Sequence, residues 1–169
     1  IGLGTRGGDL LEAVAHAPNV KVTAVSDVYE PHRQKGLEHC LNPEAKAYLD
    51  YRELLADKNV DAVVIATPDH WHAPMAIAAA RAGKHVFLEK PMTHSIEEAI
   101  ELRNTIKSTG VVFQLGHENR QQMSFRIAKE LINKGVLGNI SMVQTHTNRN
   151  GLDGAWIRKR KFDDQGTIQ

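Results

Sequence analysis

The chain opens with Ile1-Gly2-Leu3-Gly4-Thr5-Arg6-Gly7, and twenty residues past Gly7 stands Asp27, closing the run Val20-Lys21-Val22-Thr23-Ala24-Val25-Ser26. Residues 2–7 spell G-x-G-x-x-G. Glycine-rich hexamers also occur in ordinary loops, so the flanks decide the reading. Here Ile1 is a strand remnant, an apolar-faced helix follows, and an acid ends the next strand, which is the context of a dinucleotide fingerprint. Gly2 permits the tight turn, Gly4 lets backbone amides approach a pyrophosphate, and Gly7 allows close helix–strand packing. The helix N-terminus, with Thr5 and Arg6 in its first turn, offers N–H groups and partial positive charge to the phosphates. Asp27 is placed to accept from the adenosine ribose hydroxyls. Its charge repels a 2′-phosphate, so NAD is expected over NADP.

Outward from this turn, strands and helices alternate. Residues 62–66 (Ala-Val-Val-Ile-Ala), 85–88 (His-Val-Phe-Leu) and 111–115 (Val-Val-Phe-Gln-Leu) are short apolar runs of the buried parallel type. Helices are expected over 8–16, over the alanine-rich 74–82 with a stop at Gly83, from Ser95 to near Gly110, and over about 122–134. Ser95-Ile96-Glu97-Glu98 reads as a capping box. The order implies right-handed crossovers and a doubly wound parallel α/β sheet of Rossmann type over residues 1–136. Past Gly138 the character changes: 140–147 alternates as a strand, and the rest is glycine-rich and basic. Residues 137–169 are therefore expected to begin a second, α+β open-faced sheet domain that the sequence truncates. The chain reads as a piece cut inside its first strand and again inside that later domain.

Composition narrows the class. At 169 residues, 41% apolar and 24% charged, the chain is long and apolar enough to bury a core without a disulfide or metal staple. Twenty-one basic against twenty acidic residues leave a net charge of +1, which supplies no general field for nucleic acid or an anionic membrane. The basic run Arg158-Lys159-Arg160-Lys161 is accordingly read as a solvated loop. No apolar run is long enough to span a bilayer. The one cysteine, Cys40, excludes an intramolecular disulfide and is read as a structural thiol.

Two further segments fall at the carboxyl edge of the expected sheet, where open α/β sheets bind ligands. Thr67-Pro68-Asp69-His70-Trp71-His72 follows the 62–66 strand, and Glu89-Lys90-Pro91 follows the 85–88 strand. The fingerprint, a strand ending in Ala-Thr-Pro and a strand ending in Glu-Lys-Pro together resemble the glucose–fructose oxidoreductase/inositol dehydrogenase (Gfo/Idh/MocA) family. The resemblance runs from residue 1 to about residue 150, and "AGKHVFLEKPMT" at 82–93 is its most specific element. It implies a Rossmann domain followed by an open-faced sheet that builds the substrate pocket and joins subunits into a homo-oligomer. It implies an NAD(P)-dependent dehydrogenase acting on a secondary alcohol of a sugar or polyol. It implies that Lys90 is the active-site lysine, reaching both the nicotinamide ribose of the cofactor and the reacting hydroxyl, that Glu89 lies on the nicotinamide side, and that Pro91 follows a cis peptide. By the same resemblance Thr67 to His72 line the cofactor, with His72 near the nicotinamide ribose, and Asn119 matches a cofactor-contacting position. Lys90, His117, Arg120 and His146 are candidate substrate contacts.

The lysine makes chemical sense by itself, because an ammonium beside a carbinol oxygen stabilises the charge that develops as hydride leaves. The family's usual base lies in Asp-x-x-x-His, a pattern that occurs nowhere in these 169 residues. His70-x-His72 has no third ligand at a recognisable spacing, so no metal is expected. Trp71 is expected to pack in the core or to stack near the cofactor. A second reading keeps NAD and oxidises a glycoside transiently, so that elimination and hydrolysis follow; His117-Glu118-Asn119 keeps it open. A third is a dinucleotide-binding regulator without turnover, against which the intact Glu89-Lys90 pair counts. The compartment is cytoplasmic by default, or exported if a signal precedes residue 1.

Overall fold

The computed structural model describes residues 1–145, which fall into two units, Ile1–Gly116 and the residues from His117 onward. In the first unit the order is α1 (Thr5–Ala15), β1 (Ala24–Ser26), α2 (Glu30–His39), β2 (Lys46–Tyr48), α3 (Tyr51–Ala56), β3 (Ala62–Ile65), α4 (His72–Arg81), β4 (His85–Glu89), α5 (Ile96–Thr109) and β5 (Phe113–Gly116). Every strand pairing is parallel: β1 with β2, β3 with β4, and β4 with β5. Ile1 joins the two groups. Its amine donates to Val64 O at 2.8 Å, its carbonyl accepts from Ala66 N at 2.9 Å, and Gly2 N donates to Ser26 O at 2.8 Å. The spatial order is thus β2, β1, Ile1, β3, β4, β5, the doubly wound Rossmann arrangement expected from the sequence.

The core lies between β3, β4 and the helices α4 and α5. Ile65, Leu88, Ala73, Ala76 and Ala79 are fully buried there, and Leu102 of α5 is nearly so. The alanines of α4 keep that helix close to the sheet, so the segment preceding it is carried to the strand edge. Helix α5 starts at the expected capping box, Ser95 accepting from Glu98 N at 3.2 Å while Glu98 accepts from Ser95 N, and it ends at Gly110. At the opposite edge of the sheet, Lys84 Nζ donates to the carbonyls of Asp57 (3.0 Å) and Val60 (2.7 Å). Asp57 accepts from Asn59 N, Tyr48 Oη and Lys46 Nζ, which together hold its carboxyl down at about 2.

Three expectations need correction. The run 20–26 forms a strand only over Ala24–Ser26. Residues 20–23 line a cleft of about 650 Å³ together with Leu10, Leu11 and Val14 of α1 and Val63 and Val86. Their carbonyls at Val22 and Thr23 accept from Asn42 Nδ2 at 2.8 Å and Lys46 N at 3.0 Å instead of extending a strand ladder. Helix α1 begins at Thr5 rather than residue 8, because Gly4 already accepts the first helical bond from Gly8 N at 2.8 Å. In the second unit, α6 (Met123–Asn133) forms as expected, whereas 140–145 pairs with no strand among the described residues. His146, Thr147 and the basic run 158–161 lie outside the described residues. So does most of the expected second domain.

Candidate active site

The glycine turn is shaped by two contacts that no side chain tolerates. Gly2 adopts φ +80°, and a Cβ there would sit 2.8 Å from Thr67. A Cβ on Gly7 would fall 1.8 Å from Gly2 O, so α1 can start directly above the strand edge only if residue 7 is glycine. At Gly4, by contrast, a Cβ would meet nothing within 4 Å, and the helix has no side-chain cap. First-turn amides have no acceptor inside an α-helix. Open space thus lies beside donors that a pyrophosphate can use.

Asp27 ties this turn to the next crossover. Its Oδ2 accepts from Leu3 N at 2.6 Å, its Oδ1 from Tyr29 N at 2.9 Å, and His32 Nδ1 stands 3.1 Å from Oδ2. A carboxylate has about four acceptor positions, so one remains for a ribose hydroxyl. Arg33 Nη1 donates to Asp27 O at 2.7 Å and pairs with Glu30. The sequence reading missed His32 and Arg33. The signal was Pro31, the first-turn proline that marks the start of α2.

The strand-edge loops meet the same turn. Thr67 packs against Gly2, and its Oγ1 is buried with no hydrogen-bond partner among the described residues. An orphaned hydroxyl at this edge fits a ligand that supplies the partner. Pro68, Asp69 and His70 are exposed in a short 3₁₀ turn over Asp69–Trp71. Trp71 is not a core residue: it is 41% exposed, edge-on to Tyr51 at 6.5 Å. The indole ends a one-turn helix, with the Tyr51 ring and the His70 ring, at 6.1 Å, as its aromatic neighbours. His72 is buried instead, with Nδ1 2.5 Å from Pro91 O and Nε2 2.9 Å from Thr67 O. Both its ring nitrogens are occupied by protein.

On β4, Glu89 is buried, accepting from Arg6 Nε at 2.8 Å through Oε1 and from Lys90 N at 3.1 Å through Oε2. Lys90 is exposed and its side chain makes no ion pair among the described residues; the Lys90–Pro91 peptide is cis. The structure therefore gathers Gly2, Gly4, Thr5, Arg6, Gly7, Asp27, Thr67, His72, Glu89 and Lys90 around one sheet edge. His117, Asn119 and Arg120 belong to the second unit, exposed in a turn where Gln122 Nε2 donates to Asn119 Oδ1 at 3.1 Å. Cys40 is buried and donates to the carbonyl of Leu37, as a structural thiol does. Among the described residues no three His, Cys, Asp or Glu side chains converge on a metal position, and no helix is long and apolar enough to cross a membrane.

A parallel sheet with a glycine fingerprint, an acid after β1 and a lysine after β4 is the fold and edge chemistry of a nicotinamide-dependent oxidoreductase. Residues 1–117 match the family described as "Oxidoreductase family, NAD-binding Rossmann fold", and the chain belongs to this Gfo/Idh/MocA family. It is 34% identical to the 2,7-anhydro-N-acetylneuraminate hydratase of Escherichia coli K12, over 90% of this chain and 39% of that protein. It is 38% identical to glycosyl hydrolase family 109 protein 1 of Shewanella sp. MR-4, over 64% of this chain and 25% of that one. Among solved structures it superposes on scyllo-inositol dehydrogenase of Lactobacillus casei with bound NAD(H) and scyllo-inositol. There the TM-score is 0.76 and the identity 29%, covering 83% of this chain and 41% of that one. The myo-inositol 2-dehydrogenase of Lactobacillus plantarum gives 0.75 and 30%, over 82% and 41%. The chain thus spans about two fifths or less of the lengths of these relatives.

Replacing Asp27 by alanine removes the carboxylate expected to meet a ribose hydroxyl and the anchor of Leu3 N. NAD affinity is expected to fall about tenfold or more, with discrimination against NADP largely lost. Calorimetric titration with each dinucleotide measures both; a variant that still rejects NADP excludes the ribose contact.

Proposed function

We propose that the protein transfers a hydride between a secondary alcohol of a sugar or polyol and NAD. The observation that carries this reading is the approach of the fingerprint turn to the lysine-bearing end of β4, made through the Arg6–Glu89 pair. When bound, the nicotinamide supplies the hydride acceptor or donor. The chain's own residues divide the remaining work. The α1 N-terminus, the open face at Gly4 and Asp27 hold the phosphates and adenosine ribose. Thr67 offers its unpartnered hydroxyl at the same edge. Lys90 places an ammonium where a carbinol oxygen gains charge. The base that takes the hydroxyl proton is assigned to the remaining length that the relatives possess, since Asp-x-x-x-His is missing from these residues.

A second reading has specific support. Two of the relatives are named as a hydratase and a glycosyl hydrolase, net reactions in which the redox state of the substrate is unchanged. In that version the alcohol is oxidised only transiently, a neighbouring C–H becomes acidic, and elimination follows before the hydride returns. Lys90 serves the oxygen in both versions. Against a protein that only senses the dinucleotide counts the intact Glu89–Lys90 pair, since sensing needs no catalytic ammonium.

In the full-length protein, Lys90→Ala is expected to leave NAD affinity within about threefold and to cut turnover about 10²–10³-fold. Calorimetry with NAD and absorbance at the NADH band, over a panel of polyols and glycosides, measure these. Substrate-dependent NADH supports the dehydrogenase, glycoside cleavage without net NADH the redox-neutral version. Unchanged turnover in the variant overturns the role of Lys90.

A further inference from the structure

The backbone at Lys90 is held from both sides by side chains withdrawn from solvent. On one side Glu89, 3% exposed, accepts the Lys90 amide through Oε2 at 3.1 Å. On the other, Pro91 O is met by Nδ1 of His72, itself 1% exposed, whose Nε2 meets Thr67 O. The histidine joins two backbone segments and rests in the core. Glu89 is different, because a buried carboxylate needs a cation to stay charged and in place. Arg6 supplies it, with Nε and Nη2 both 2.8 Å from Oε1. The niche is cut to the carboxylate: a Cβ on Gly116 would stand 3.0 Å from Oε1 and 2.9 Å from the Phe87 ring.

Each oxygen of Glu89 thus has its own task, one facing Arg6 and the other the peptide N–H that sets where the Lys90 side chain departs. Arg6 lies 83 residues earlier, in the second variable position of the glycine fingerprint. We propose that Arg6 is a positioning residue for Lys90, acting through Glu89, and that its main contribution is to turnover rather than to holding the pyrophosphate. A fork of two donors on one oxygen fixes the carboxylate's direction as well as its charge, which a lysine's point charge does not. The inference rests on the hydride-transfer reading above, in which Lys90 meets the reacting oxygen.

The test uses the full-length protein and four variants: R6Q, R6K, E89Q and the double variant R6Q/E89Q. NAD binding and Lys90-dependent turnover in the unaltered protein are established first; their absence defeats the functional reading and not the pairing. The expected result for R6Q is an NAD Kd within about threefold and a kcat lower by about 10²-fold, since small misplacements of a catalytic group cost that much. E89Q is expected to match it. The double variant is expected to be no worse than either single one, as for residues that act as a unit. R6K, which restores charge without the fork, is expected to recover part of kcat. If R6Q leaves too little folded protein, the double variant, which also removes the buried charge, and R6K carry the same comparison. An R6Q protein with unchanged kcat, a rise in NAD Kd that accounts for the whole defect, or additive losses in the double variant each overturn the proposal.

Discussion

The arrangement depends on one steric fact, the contact between residue 7 and the carbonyl of residue 2. With a separation of 1.8 Å for any Cβ, residue 7 has no freedom of identity, and because it has none the first helix can begin on top of the sheet. From that follow the direction of the helix N-terminus, the open space at Gly4 and the reach of Arg6 toward β4. Gly2 adds the second half of the constraint. Its positive φ turns the chain from sheet into loop within one residue, and Thr67 fills the space where a side chain would stand.

Two carboxylates then convert a turn into a site. Asp27 grips the turn from the β1 side through Leu3 N, and Glu89 grips it from the β4 side through Arg6. Each carboxylate also holds a backbone amide of its own strand's exit, Tyr29 in one case and Lys90 in the other. The symmetry is chemical rather than topological. In both places an acid at a parallel strand's carboxyl end serves as an acceptor for the two chain segments it lies between, which fixes loops that have no ladder of their own. Charge does the job better than an amide or hydroxyl because hydrogen bonds to ionised groups are about twice as strong.

What the sequence disclosed, and what it withheld, follows the range of each interaction. The capping box at Ser95 and Glu98 spans three residues and was legible; so were β3 and β4, whose Val, Ile, Leu and Phe leave no alternative. Helix α2 was not, because Leu37 is the one large aliphatic residue in Glu30–His39 and no stripe emerges. Strand β2 has three residues, below any periodic signal. The fingerprint, Asp27 and the lysine were legible as types at spacings. The Arg6–Glu89 pair was not, since no local pattern couples residues 83 apart. Trp71 and His72 exchange the burial that hydrophobicity alone assigns: the indole sits at the mouth and the imidazole in the core. The buried imidazole stands between the carbonyls of Thr67 and Pro91, to one of which a neutral ring donates.

Aliphatic burial is uneven across the sheet. Val63 and Ile65 of β3 and Val86 and Leu88 of β4 are buried, with Leu102 of α5 in the same core, whereas β1 and β2 have three residues each and Val25 is the one buried aliphatic residue among them. Amide hydrogens of β1 and β2 then exchange through a smaller opening than those of β4. A ligand that binds only the closed form adds its binding free energy to that opening, so the protection of β1 and β2 reports how full the site is.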